Sequence, residues 1–305
     1  MAAVSGNPKP LALEDFFEYR SRFDHLNINL GDGPSRQKYH DDWMFRYRRA
    51  SGAWDDYDAA IWAVRCRQSL KLCFSATYFA LASEQAREAR VLASAYYLAY
   101  YSALHAMWAV IYLDPDQTLQ KVAEITHSKI ANVFHSVYAS GAQRIIRYDA
   151  RKLVENLRFM REYYSYRMPL NSPFRDHPEL LKTHISLGGF VKQSIQLANL
   201  QSHLLSKAAR RNKKGSACVP VERMGNFRQD FFLVNGKEHL EKAMWLLEPF
   251  DEIALSEFLS KGCDLLPHAV MFDHMFDCYM TITDIDKPDG DIIRRTKSLV
   301  YNALL

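Results

Sequence analysis

Apolar residues recur at spacings of three and four along most of this chain, and between Gly52 and Pro115 they do so without a single Gly or Pro. That stretch is rich in Ala, Leu, Arg and Gln, a composition that predicts helix. One helix of that length is unusual, so the polar cluster at Ser83–Ala89 reads as the boundary between two. The first shows Tyr57, Ile61, Val64 and Leu72 on one face, and the second shows Leu92, Tyr96, Ala99, Ala103, Ala106 and Val110. Each set is a stripe to be buried against a neighbour. Asp114-Pro115-Asp116 predicts a turn after the second helix.

A third helix is predicted over Gln117–Ser140, interrupted near Thr126, which caps its second half with His127 and Ser128 in the first turn. Gly141 ends it. A fourth runs over Tyr148–Arg167 with Leu153, Leu157, Met160 and Tyr164 as its apolar stripe, and Met168-Pro169 stops it before a loop at Asn171–Pro178. Before Gly52 the pattern is less regular: Leu11–Leu26 reads as one amphipathic helix and Gly31–Ser35 as a loop. Beyond Pro178, helices are predicted at Glu179–Ala209, Gly236–Leu247, Ile253–Leu259, Met271–Thr281 and Ile292–Leu304, with a short strand at Phe231–Val234. The basic run Lys207–Gly215 reads as an exposed linker.

The fold class is therefore all-α. The expected organisation is an N-terminal extension (1–54), a central helical bundle (55–170) and a C-terminal helical region (171–305). Only 12 Gly and 11 Pro punctuate 305 residues, too few for the tight turns of an all-β chain. Five scattered cysteines with no CxxC pair suggest neither a disulfide framework nor a zinc ribbon, and no cofactor is expected. Met1–Pro10 carries no apolar run, so no signal peptide is expected and the cytoplasm is the expected address. The greasiest stretch, Leu98–Leu113, falls short of a membrane span and carries Tyr100, Tyr101, Ser102 and His105, so it reads as a core helix and not as membrane contact.

Three segments in order resemble one family. Ala93–Ala103 places small residues around Tyr96-Tyr97, as the second helix of HEPN domains does. His127-Ser128, with Phe134 seven residues after the His, is similar to that family's next helix. Leu157-Arg158 through Tyr166 resembles its last helix, where a leucine is followed by an arginine and then by a tyrosine. The resemblance implies a HEPN-like four- or five-helix bundle with helical extensions at both ends. It further implies a homodimer or a larger protein complex, RNA or a nucleotide as partner, and a setting in bacterial defence or toxin–antitoxin systems. Active members cut RNA without metal, using an Arg and a His on one helix with four to six residues between them. Counting from Arg161, those positions hold Tyr166, Arg167 and Met168, so the histidine is missing. The candidate catalytic pair is then Arg161 to stabilise phosphate and Tyr166 as its hydrogen-bonding partner. Arg20–His25 has the right spacing but lies outside the resembling region.

Charge adds a second argument. The net charge is +4, and Arg144–Arg167 alone holds seven basic against three acidic residues, the same surplus. Arg151, Lys152, Arg158 and Arg167 are the expected phosphate contacts on that helix, with Tyr163, Tyr164 and Tyr166 placed to stack on bases. Arg210, Arg211, Lys213 and Lys214 form a second basic candidate. Tyr96-Tyr97 reads as core packing, His105 as a buried, hydrogen-bonded histidine, and His127 as either a cap or a cleft residue. His268, His274, Asp277 and Cys278 lack any specific metal spacing, so no metal site is expected. Asp284–Asp291 reads as a turn, because Pro288 and Arg295 stand where a calcium loop needs ligands. The readings from other classes are a helical scaffold whose flanks bind another protein and a metal-dependent enzyme using the C-terminal set.

Overall fold

The computed structural model describes residues 11–212, 233–234, 237–238, 265–272 and single positions near 295–302, apart from 19–20, 124, 142–143, 171–173 and 181–185. Eight α-helices are described: α1 (Asp24–Leu30), α2 (Gly33–Ser51), α3 (Asp56–Glu88), α4 (Leu92–Ile111), α5 (Leu119–Ala123), α6 (His127–Phe134), α7 (Ala150–Glu162) and α8 (Leu187–Asn212). Single π-helical turns continue α6 over His135–Ala139 and α7 over Tyr163–Arg167. Among the described residues the fold is all-helical apart from one antiparallel pairing of β1 (Leu233–Val234) with β2 (Lys237–Glu238). Of the strand expected at Phe231–Val234, Leu233–Val234 forms β1, and the first two residues lie outside the described residues. The helix expected from Gly236 begins instead as β2, and its remainder lies outside the described residues, as does Ile253–Leu259.

The long breaker-free stretch is an antiparallel hairpin. Asp55 starts α3 with a reciprocal cap: its carboxylate accepts from the Asp58 amide at 2.9 Å, and that of Asp58 accepts from the Asp55 amide at 3.3 Å. The reversal falls at Ala89–Val91, at the end of the polar cluster, with Arg90 in the left-handed region (φ 61°) where glycine is usual. Three serines record the register: Ser69 Oγ donates to Ala109 O, Ser102 Oγ to Ala76 O and Ser83 Oγ to Ala95 O, all within 2.8 Å. Contacts this short need small neighbours, and the alanines of α4 supply them. The α4 stripe Leu92, Tyr96, Ala99, Ala103, Ala106 and Val110 is buried throughout. Arg65, buried on α3, closes the far end of α4 by donating to the carbonyls of Tyr112, Asp114 and Gln117 while lying over the Trp62 ring.

The centre of the molecule is α8. Every residue from Gln193 to Ser206 is buried, because α1, α2, α3 and α4 surround it. Several of its polar side chains are bonded to distant segments. Gln201 accepts from the Tyr47 hydroxyl at 2.8 Å and donates to Tyr39 Oη at 3.0 Å. His203 Nε2 meets Ser21 Oγ at 3.0 Å, and Ser206 Oγ donates to Leu265 O at 2.6 Å. A turn at 268–272 docks on the same helix, its Ala269 amide donating to Asn199 Oδ1. One core thus draws on the expected N-terminal extension, the central bundle and the C-terminal region together. Its second partner, α2, was not expected: Gly31 turns the chain at φ +86°, Asp32 accepts from the Ser35 amide, and the helix opens where Gly31–Ser35 reads as loop.

The single helix expected over Leu11–Leu26 is corrected. A 3-10 turn at Leu13–Phe16 gives way to extended backbone at Phe17, and α1 starts only at Asp24. The reason is polar. Glu14 accepts from the Phe23 amide and from Asn27 Nδ2, and Asn27 Oδ1 accepts from the Leu13 amide, so the segment folds back on itself. The linker reading of Lys207–Gly215 is also corrected as far as Asn212, because α8 continues through it. No described helix is long and apolar enough to cross a membrane.

Candidate functional site

A cleft of about 690 Å³ opens between α4, the start of α6 and the outer face of α7. Residues 151, 154, 155, 158 and 161 line one wall because they repeat at helical spacing on α7, opposite the buried stripe Leu153, Leu157 and Met160. Thr126, His127, Ser128, Ala131 and Asn132 form the facing wall, and Tyr100 of α4 sits between the two.

Basic side chains predominate in the cleft. It holds Arg151, Arg158 and Arg161 against one acid, Glu155. Arg158 donates to Glu162 Oε1 at 2.8 Å, while Arg161 Nη2 stands 3.7 Å from the same oxygen and its guanidinium lies 4.5 Å over the Tyr100 ring. Arg161 Nε is buried and has no hydrogen-bond partner among the described residues. Across the cleft, Thr126 caps α6 with no side-chain bond to a helix amide, its Oγ1 lying 3.5 Å from Ser128 Oγ, so its side chain satisfies none of the first-turn amides.

His127 Nδ1 lies 3.2 Å from the Tyr100 hydroxyl. Burial, reinforced by the charge of Arg161, lowers the His127 pKa, so the ring is neutral at pH 7. Burial raises that of Tyr100 although Arg161 and Arg158 oppose it, so the phenol keeps its proton. A neutral imidazole beside fixed positive charge can exchange a proton near a bound phosphate.

The structure separates the residues singled out from sequence. Arg151, Arg158 and Arg161 meet in the cleft. Lys152 does not line it; its Nζ lies 3.7 Å from Asp149. Arg167 is exposed beyond it. Tyr166 is 78 % exposed and does not line the cleft, so its expected pairing with Arg161 is corrected. The physical reason is helical spacing: five residues after Arg161 the chain has turned well past the face that Arg161 occupies, and Tyr166 lies in the exposed π-turn that Met168 (φ 40°) ends. Tyr164 is not free to stack on a base either: it is buried, parallel to Tyr96 with centroids 5.4 Å apart, and donates to Arg175 O.

Arg210 and Arg211 border a different cavity, of about 420 Å³, with Asp15, Glu18 and Lys207, and Arg210 stands 3.6 Å from Glu18. Lys213 and Lys214 lie outside the described residues, as do Arg20, His274, Asp277, Cys278 and 284–291. His268 is buried with Nε2 3.2 Å from Cys66 O, and no cluster of three metal-ligating side chains occurs among the described residues. His105 is hydrogen-bonded to Ser75 Oγ at 2.8 Å, as expected. Sequence reasoning gave Tyr100, Thr126 and Ser128 no role in a site; Tyr100 and Ser128 lie inside the family-like segments, and Thr126 reads there only as a helix cap.

No protein-family model matches the chain, and no curated protein or solved structure matches it either.

Proposed function

We propose that this chain is a HEPN-like helical bundle that binds RNA, or the nucleotide unit of it, in the cleft between α4, α6 and α7. The observation that carries the reading is the convergence of Arg151, Arg158 and Arg161 on one cavity with the first turn of α6. Guanidinium groups and helix-start amides both favour phosphate oxygens. The bacterial defence or toxin–antitoxin setting, and a homodimer or larger assembly, belong to the same proposal through the resemblance.

The test is titration of a labelled single-stranded RNA by anisotropy at rising salt. With three arginine–phosphate contacts, the logarithm of the affinity should fall against the logarithm of salt with a slope of about −2. An affinity that ignores salt would remove the phosphate reading and favour the scaffold, whose contacts are apolar.

A second reading, metal-independent cleavage, has its own observation: the histidine absent from α7 stands across the cleft as His127. In the tautomer whose Nδ1–H donates to Tyr100 Oη, Nε2 accepts the proton of a 2′-hydroxyl as its oxygen bonds to phosphorus and the 5′-oxygen leaves with a proton from water, while Arg161 stabilises the phosphate. The same incubation with EDTA decides it. Shortened RNA makes the protein a ribonuclease, and intact, retained RNA makes it a binding protein.

A further inference from the structure

Tyr97 and Tyr101 are one turn apart on α4, their rings 4.7 Å between centroids. They do not belong to the buried stripe of that helix. Tyr97 is 49 % exposed although the residue before it, Tyr96, is 2 % exposed. Tyr101 is half-buried, with its ring edge-on to His127 at 5.5 Å and to Tyr100 at 5.3 Å. Tyr100 and His127 line the cleft, so the tyrosine pair starts at the rim of the arginine-lined cavity and continues outward along α4.

Exposed aromatic faces beside fixed positive charge fit one kind of ligand well. A nucleotide strand carries an anionic backbone and flat apolar bases side by side, and single strands leave those faces free. A duplex stacks its bases on one another and offers no face. A mononucleotide filling the cleft would leave the tyrosine pair bare.

We infer that Tyr97 and Tyr101 form a base-stacking ledge for unpaired nucleotides whose phosphates lie on Arg158 and Arg161, which makes single-stranded RNA the ligand of this cleft. The inference rests on the phosphate reading of the cleft and narrows it from a nucleotide to a strand. It also gives α4 the stacking role for which Tyr164, packed in the core, is not free.

The experiment uses the full chain, a fluorescent oligouridine, the same length of RNA closed in a hairpin, and free UMP as competitor. Single-stranded RNA should bind at least tenfold more tightly than the hairpin, with UMP a poor competitor. Tyr97→Leu should weaken oligouridine binding by roughly tenfold, and Tyr97→Trp should retain it. Leucine keeps the apolar contact and loses the flat face, so this contrast isolates stacking. Tyr97 is the variant of choice because its exposure lets the fold survive substitution; Tyr101→Leu is the second, accepted only with an unchanged melting temperature.

Equal binding of hairpin and single strand, or unchanged binding in Tyr97→Leu, overturns the ledge. If the salt-dependent binding persists in that variant, the phosphate reading of the cleft survives the failure. Absence of binding in the unaltered protein overturns both. A change in oligomeric state on Tyr97→Leu with RNA affinity intact assigns this face to a second copy of the chain and also overturns the ledge.

Discussion

Reversing two charges together, Arg158→Glu with Arg161→Glu, is expected to lower the affinity for single-stranded RNA about hundredfold at 0.1 M salt while the bundle stays folded. Two phosphate contacts are lost and two repulsive charges replace them. The salt slope should shrink by about 0.7 for each arginine contact removed from a single strand. Folding is spared because neither arginine anchors the core. Arg158 makes a surface pair with Glu162 at 2.8 Å, a type of contact that contributes little. Arg161 gives up a ring contact with Tyr100 at 4.5 Å, worth about 1 kcal/mol. The control is Lys152→Glu, on the same basic helix but outside the cleft, which should change affinity only slightly. Anisotropy measures the loss, and circular dichroism verifies the fold. Equal effects of the control and the double variant would show that net charge, and not the cleft, attracts the RNA.

Acid is expected to unfold the protein through its buried histidines. Three histidines are held neutral by burial: His203, pushed down to about 3 beside Ser21, His268, to about 3 beneath Cys66 O, and His105, to about 4 beside Ser75. In the unfolded chain each returns to an ordinary value of about 6.5. Below that value the unfolded state takes up protons that the folded state refuses, so stability falls with pH down to the folded values. Each group contributes about 1.4 kcal/mol per pH unit across the window, so three together give about 4 kcal/mol per unit. Against a typical domain stability of about 5–15 kcal/mol, unfolding should set in between about pH 5 and pH 4. Urea melts at pH 7, 6 and 5 measure it, and His203→Gln should reduce the pH slope by about a third. A stability that stays level over that range would show that these rings are solvated or charged in the folded state.

The parts of this fold that were legible share a simple physical signature. The α4 stripe follows helical periodicity with uniformly apolar residues, so its burial could be read directly. The end of α3 was legible only to within a few residues, because Arg90 occupies the left-handed position that glycine usually announces. The central place of α8 was hidden by its own polarity. Gln193, Gln196, Asn199, Gln201 and His203 look like a solvated face in sequence, yet all are buried, several bonded to Tyr39, Tyr47, Ser21 and the 268–272 turn. Partners so distant along the chain leave no periodic signal. The cleft divides the same way. Its arginines stood out as a local charge surplus, whereas the pairing of Tyr166 with Arg161 came from the family's spacing alone, and helical geometry does not put residues five apart on one face. His127 and Tyr100 come together through the packing of α6 against α4, a contact that spacing on one helix cannot reveal.

The most direct test of the account is photocrosslinking of a 4-thiouridine-substituted single-stranded RNA to the full chain, with the attached peptides identified by mass spectrometry. The cleft predicts attachment within residues 97–101, 126–132 and 151–161, lost in the Arg158→Glu/Arg161→Glu variant. Attachment confined to the end of α8 around Arg210 and Arg211, or attachment that persists in that variant, would contradict it.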